Sequence, residues 1–287
     1  MPRRVPDGEP ATAPPTGARA LLATDLDGTL LGADAQLSPR TRRALAAAAG
    51  GPVEVVVVTG RPPMFLTSLL DGADIDGEAL CANGSMVVDL ATMDVLQVRA
   101  MPADTVRAIL DFAADTDPPS QVRAMLWRPG HEGLRLVGSG RRFSDEVLAA
   151  LAEGWLAYKV LVGSSDAAAD PSDFLVAMDA VLGAIATVTH SMPGHPVVEI
   201  GPLGVDKGTA LAELAAARGV ERSSVHAVGD MPNDLPMLRW AGRSYAVANA
   251  HPHVLAEVDF HLGANTDDAV AGLLESLHRR LMAEPEV

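Results

Sequence analysis

Seven polar residues carry the chemistry open to this chain: Asp25 and Asp27 in "LLATDLDGTLLGAD", Thr59 in "VVVVTGR", Lys207 in "GVDKG", and Asp230, Asn233 and Asp234 in "GDMPNDLPML". Asp25 and Asp27 lie one residue apart at the end of an apolar run. In an extended chain such residues share a side. Their carboxylates then repel, so either one is protonated or a cation lies between them. Asp230 adds a third carboxylate, and oxygen donors in that number suit Mg²⁺, a hard cation that keeps some water and accepts phosphate oxygens. Lys207 falls at a helix start, where an ammonium and free backbone N–H groups can face one anion. Thr59 adds a hydroxyl, followed by the pliable Gly60. Acidic metal ligands, an amine and a hydroxyl together bracket a phosphoryl group, whose transition state spreads negative charge over its oxygens. Each motif alone is ordinary: an Asp-x-Asp is often a solvated turn, and a Lys at a helix start is usually surface. Their joint occurrence is the signal.

The elements that must position these residues are legible in the same stretches. "ALLATDLD" (20–27) and "VEVVVVTGR" (53–61) read as buried strands that end in polar residues. Ser38 and Pro39 open a helix that stops at Gly50-Gly51. Pro62 and Pro63 open a short helix through Leu70, and "EALCANGSMVVD" is a strand, an Asn-Gly turn and a strand. From 197 the rhythm returns: "PVVEIGP", a helix from Asp206 to Gly219, "SVHAVGD", a short helix to Gly242, "SYAVAN", and a last helix capped by Thr266. Strands alternating with helices predict an α/β, doubly wound parallel sheet, with ligands beyond the carboxyl ends of its strands. The expected core is 20–84 plus 194–287. The interval 85–193 has another texture, with hairpin-like strands and helices over 103–115 and 171–182. It is expected to be an inserted α+β domain. The Pro-rich residues 1–19 are expected to be a disordered tail.

Composition narrows the partners. The chain has 287 residues, 48% of them hydrophobic but only 3% aromatic, so its core must be built from Ala, Val and Leu. A net charge of −15 argues against nucleic acid and anionic membranes as partners, because both need a basic field. No apolar run approaches the ~18 residues of a membrane span. The one cysteine, Cys81, excludes an internal disulfide and suits a reducing cytoplasm; at the end of an apolar run it reads as a small core residue. Against 20 arginines stand only two lysines, Lys159 and Lys207, which sharpens interest in the second.

The four motifs and their order resemble the signatures of the haloacid dehalogenase (HAD) superfamily. Their spacing is similar to its Cof-type, class IIB branch, from about residue 20 to residue 277. "ANGS" (82–85) is similar to the Asn-Gly segment that leads into the cap in that branch. The resemblance implies a Rossmann-like HAD core with an inserted cap, and a Mg²⁺-dependent phosphatase of small phosphorylated metabolites, often sugar phosphates. It implies Asp25 as the nucleophile that becomes an aspartyl-phosphate. It implies Asp27 as the group that protonates the leaving alcohol and then deprotonates water. Asp25, the main-chain carbonyl of Asp27, and Asp230 would hold the metal. Thr59, Lys207 and the amides near Leu26 and Gly60 would grip the phosphate, with Asn233 helping. Asp234 would orient Lys207 or a metal-bound water. As a general acid Asp27 must be protonated, which a crowd of neighbouring carboxylates would favour. The rivals are a phosphomutase or phosphotransferase of the same superfamily, a phospho-receiver, and a ligand-binding relative without turnover. The long insert argues against a receiver, and every motif residue is present, which argues against a silent relative. P-type ATPases resemble the pattern with threonine at the position of Asp27, and they need membrane helices. The oligomeric state stays open.

Overall fold

The computed structural model describes residues 20–283 apart from 71, 74, 117, 118, 132, 167, 191 and 193. The expected tail, 1–19, lies outside the described residues. The chain divides into two compact units: Val98–Val205, and the chain through Gln97 joined to that from Asp206 onward.

In the discontinuous unit the first strands are β1 (Ala20–Thr24), β2 (Val53–Val58), β3 (Glu78–Cys81), β4 (Met86–Asp89) and β5 (Val95–Val98). In the continuous unit follow β6 (Gln121–Trp127), β7 (Leu134–Gly138), β8 (Leu156–Gly163), β9 (Ala186–Thr189) and β10 (Val197–Pro202). The chain then returns with β11 (Val225–Gly229), β12 (Arg243–Ala246) and β13 (Phe260–His261). The helices are α1 (Pro39–Ala48), α2 (Leu66–Leu69), α3 (Ala103–Asp115), α4 (Gly140–Ala152), α5 (Pro171–Leu182), α6 (Lys207–Ala217), α7 (Leu235–Trp240), α8 (Pro252–Glu257) and α9 (Ala269–Ala283).

The discontinuous unit is the parallel α/β body expected from the sequence. Its eight-stranded sheet runs β13-β12-β11-β1-β2-β3-β4-β5. β13, β12, β11, β1, β2 and β3 are parallel neighbours, and β3 and β4 form an antiparallel hairpin. β1 and β2 are buried along their whole length. That explains their largely apolar runs, because a central parallel strand is covered on both faces; the charge in β2, Glu54, is buried and pairs with Arg218. α1 and α9 pack together against β2, while α6 and α7 pack together, α6 against β3 and α7 against β11 and β12. α1 starts as expected: the Ser38 hydroxyl accepts the Thr41 N–H at 3.0 Å. Cys81 is buried, and burial pushes its thiol up, so it is a core residue.

The continuous unit is an α+β domain, as the alternating pattern implied. Its sheet runs β7-β6-β8-β10-β9, antiparallel throughout. Its core gathers Ile109, Leu110, Val122, Leu126, Val147, Val160, Val162, Val198 and Ile200.

Three expectations need correction. The boundaries fall at 97/98 and 205/206 rather than at 84/85 and 193/194. β4 and β5 extend the discontinuous unit's sheet, and β10 pairs with β8 and β9, not with the parallel strands. An apolar run such as "VVEI" states its burial but not its partner. α4 was not foreseen, although Phe143 and Val147 sit at helical spacing and are buried. Thr266 does not cap the last helix: it lies in a short 3₁₀ turn, and α9 begins only after Asp268, whose φ is 56°.

Candidate active site

All seven residues named above belong to the discontinuous unit, and they sit beyond the carboxyl ends of its strands or at helix starts. β1 ends at Thr24, so Asp25 is the first residue past the strand; its N–H donates to the Val228 carbonyl at 3.1 Å. Lys207 is the first residue of α6. Asp206 caps that helix by accepting the Thr209 N–H at 2.7 Å, while the Thr209 hydroxyl receives the Asp206 N–H at 3.0 Å. Asp230 follows β11, and Asn233 and Asp234 lie in the turn that leads into α7.

The centre is a buried charge cluster. Lys207 is 1% exposed, and its Nζ donates to Asp25 Oδ1 at 2.6 Å and to Asp234 Oδ1 at 2.5 Å. Asp234 is fully buried, and its other oxygen accepts the N–H groups of Asp230 and Met231, each at 2.9 Å. Asp234 therefore spends both oxygens on holding Lys207 and the 230–231 backbone. Asp230 Oδ1 accepts the Thr29 hydroxyl at 2.8 Å. Burial would lower the Lys207 pKa, but the Asp234 and Asp25 carboxylates outweigh it and hold the amine charged. Burial holds Asp25 well above the usual carboxylate range against the pull of Lys207, with Asp234 and Asp230 adding to the rise. Burial also lifts Asp230 to about 7, aided by Asp234 and opposed by Thr29 and Lys207.

Asp25, Asp230 and Asp234 each offer an oxygen within 4.8 Å of the others. Three carboxylates against one ammonium leave a surplus of negative charge in a buried, oxygen-lined place. A divalent cation fits that surplus, and this cluster can hold a metal ion.

Asp27 departs from expectation. It does not crowd against Asp25. Its carboxylate is half exposed and takes a bidentate pair from Arg61, with Nε to Oδ2 and Nη2 to Oδ1 both at 2.6 Å. The reason is local: the chain leaves the sheet after Thr24, and residues 26–30 form a wide turn in which Asp27 is extended and Gly28 is left-handed at φ 73°. The i, i+2 rule of a strand no longer applies there. The carboxylates that do gather are those of Asp25, Asp230 and Asp234.

Gly28 is a fixed requirement of this geometry. A Cβ at that position would lie 2.5 Å from Asp230 Oδ2, and its φ suits glycine. Leu26, wholly buried, opens the turn. Thr59 is buried just past β2, and its hydroxyl accepts the Arg61 N–H at 3.1 Å; Gly60 lies between the two. Asn233 donates from Nδ2 to Asn83 Oδ1 at 3.1 Å. Sequence reasoning gave no role to Arg61, Thr29 or Asn83. Arg61 and Thr29 each lie two residues beyond a motif residue, and Asn83 was read as a turn former in the segment leading into the cap.

Elsewhere, Arg128 of the continuous unit lies over the Trp155 ring at 4.9 Å and Arg141 pairs with Asp115 at 2.6 Å.

A buried carboxylate, a charged lysine and a cluster of acidic side chains able to hold a metal ion meet at the ends of parallel strands. The chain matches the model of haloacid dehalogenase-like hydrolases over residues 22–127 and 148–274, and it belongs to that family. Among curated proteins it is 26% identical over 287 residues to the 5-amino-6-(5-phospho-D-ribitylamino)uracil phosphatase YwtE of Bacillus subtilis strain 168, covering 89% of this chain and 97% of that one. It is 26% identical over 269 residues to the pyridoxal phosphate phosphatase YbhA of Escherichia coli K12, covering 89% and 97%. A solved haloacid dehalogenase-like hydrolase from B. subtilis superposes with a TM-score of 0.73 at 24% identity, covering 90% of this chain and 99% of that one. Among the described residues no helix is long and apolar enough to cross a membrane.

Proposed function

We propose that the protein is a phosphoric monoester hydrolase that cleaves small phosphorylated metabolites, sugar-phosphate-like in kind, through an aspartyl-phosphate on Asp25. The observation that carries this reading is the Lys207 ammonium held between Asp25 and Asp234. It leaves one carboxylate beside a fixed cation at the mouth of β1, where a phosphoryl dianion would be neutralised.

In the first step an Asp25 oxygen bonds to phosphorus and the bond to the leaving oxygen breaks, while Asp27 supplies the proton that oxygen takes up. In the second, Asp27 removes a proton from water, the water oxygen bonds to phosphorus, and the bond to Asp25 breaks to give orthophosphate. For Asp27 to act, its pair with Arg61 must open, and an arriving phosphoryl group offers the guanidinium another bidentate acceptor. Lys207, Thr59 and the backbone at Leu26 and Gly60 grip the phosphoryl oxygens, with Asn233 beside them; Asp234 keeps Lys207 aimed. Asp25, Asp230 and the Asp27 carbonyl would hold Mg²⁺, which would neutralise phosphoryl charge. The unit 98–205 takes the role of the cap that selects the leaving group. The phosphatase names of the relatives support a small-metabolite substrate, and a lone buried cysteine suits a cytoplasmic setting.

The test is phosphate release from a panel of phosphometabolites with Mg²⁺, in wild type and in Asp25→Asn. Turnover in wild type, lost in Asp25→Asn and in EDTA, is the expected result. Near wild-type hydrolysis by Asp25→Asn would refute the nucleophile assignment.

A further inference from the structure

We infer that Asn83, in the β3–β4 turn, is a positioning residue for the phosphoryl grip; the inference rests on the hydrolase reading above. Three consecutive residues of this turn are left-handed: Ala82 at φ 50°, Asn83 at 56° and Gly84 at 94°. A run of that kind is rare outside glycine and persists only where the surroundings over-determine it. Here they do, from three directions. The Ala82 and Asn83 N–H groups donate to the carbonyls of Arg61 at 2.9 Å and Thr59 at 3.0 Å. Gly84 lies so close to the first turn of α6 that an added Cβ would fall 2.5 Å from Ala210 Cβ and 2.8 Å from the Asp206 carbonyl. The Asn83 side chain takes the Asn233 amide. One turn thus ties together the segments that carry Thr59, Lys207 and Asn233.

The last of these ties is the one a side chain controls. Asn233 is 6% exposed, and its Oδ1 is buried without a partner. Among the described residues, Asn83 is therefore the hydrogen-bond partner that sets which way the Asn233 amide faces. An amide nitrogen carries two N–H groups. Asn83 uses one, and the second is left to a phosphoryl oxygen. Asn83 acts through Asn233 and touches no reacting atom.

The experiment is steady-state hydrolysis of p-nitrophenyl phosphate with Mg²⁺, together with competitive inhibition by orthophosphate. The proteins are wild type, Asn83→Gly, Asn233→Ala and the double variant. Glycine keeps the left-handed backbone while deleting the side chain. Should it fold poorly, Asn83→Ala replaces it, since Ala82 already occupies the same conformation. The expected result for Asn83→Gly is a KM and a phosphate inhibition constant raised about 10-fold, with kcat lowered less than about 3-fold and the thermal midpoint little changed, the pattern of lost uniform binding. The double variant should be no worse than Asn233→Ala alone, because the two residues act as one unit. Unchanged KM and inhibition constant in Asn83→Gly, or losses that add in the double variant, overturn the inference. Absence of phosphate release by wild type overturns the hydrolase reading instead, so the two failures are distinct.

Discussion

Asp234→Asn probes the cluster most directly, because Asp234 is fully buried and its two oxygens have different duties. Oδ2 serves the N–H groups of Asp230 and Met231, and Oδ1 serves Lys207. In the variant the amide oxygen can keep the two backbone donors, but the NH₂ group then faces the ammonium, donor against donor. Lys207 retains only Asp25 as a charged partner. Removing one member of a buried ion pair costs about 3–5 kcal/mol, since the remaining charge stays buried. For a chain of this size the urea dependence is roughly 3 kcal/mol per molar, so the unfolding midpoint should fall by about 1–1.7 M. The assay is urea unfolding followed by tryptophan fluorescence in a Trp127→Phe/Trp155→Phe background. Of the three tryptophans, only Trp240 lies in the discontinuous unit, at the end of α7. Its signal therefore reports the unit that contains the cluster. A midpoint shift below about 0.3 M would refute the reasoning: the Lys207–Asp234 contact would then carry no stability despite its burial.

Three other outcomes follow from the same geometry. Gly28→Ala places a Cβ 2.5 Å from Asp230 Oδ2 at a left-handed φ; kcat/KM should fall about 100-fold or more, and wild-type kinetics would show that the approach is not tight. Asp230, lifted to about 7 by burial and then Asp234, has a folded pKa above its ordinary value. Its contribution to stability is full below about pH 4 and is lost as the pH rises through about 7. In EDTA, wild type should therefore lose thermal stability relative to Asp230→Asn as the pH rises from about 4 to about 7, and level off above that. Mg²⁺ should raise the wild-type midpoint more at the higher pH, where protons no longer compete; about 2.7 kcal/mol is expected at 100 times its Kd, and an equal Mg²⁺ shift at both pH values would contradict this. His226, pulled down to about 4 by burial and then by Arg243 and Arg280, has a folded pKa below its ordinary one. Its contribution is full above about pH 6.5 and is lost as the pH falls toward 4, by up to about 3 kcal/mol. Wild type compared with His226→Asn by urea unfolding at each pH should show that loss, and parallel profiles would exclude it.

The parallel sheet was legible because burial on both faces writes itself into runs such as "VEVVVV". The meeting of Asp25, Lys207, Asp230 and Asp234 was legible because charged residues at the ends of such runs have few structural uses. Asp27 was misplaced for a definable reason. Strand periodicity was carried past Thr24 into a turn, and the partner that captures Asp27, Arg61, lies 34 residues away. Long-range pairings of that kind have no local signature. The domain boundaries were misread on the same ground: β10 is as apolar as a parallel strand, and only its register with β8 and β9 separates it. Asn83 shows a subtler limit. Asn-Gly announces a tight turn, but not that the turn's side chain reaches a residue 150 positions later.

The wide separation of Asp25 and Lys207, 182 residues, has a consequence during synthesis. β1 has β11 on one side and β2 on the other, so the ribosome releases the first half of this sheet long before its central neighbour exists. At about 5–20 residues per second, roughly 10–40 s pass in which an apolar strand edge lies bare and its terminal carboxylate has no counter-charge. The intervening unit, with a core of its own, is free to form in that interval.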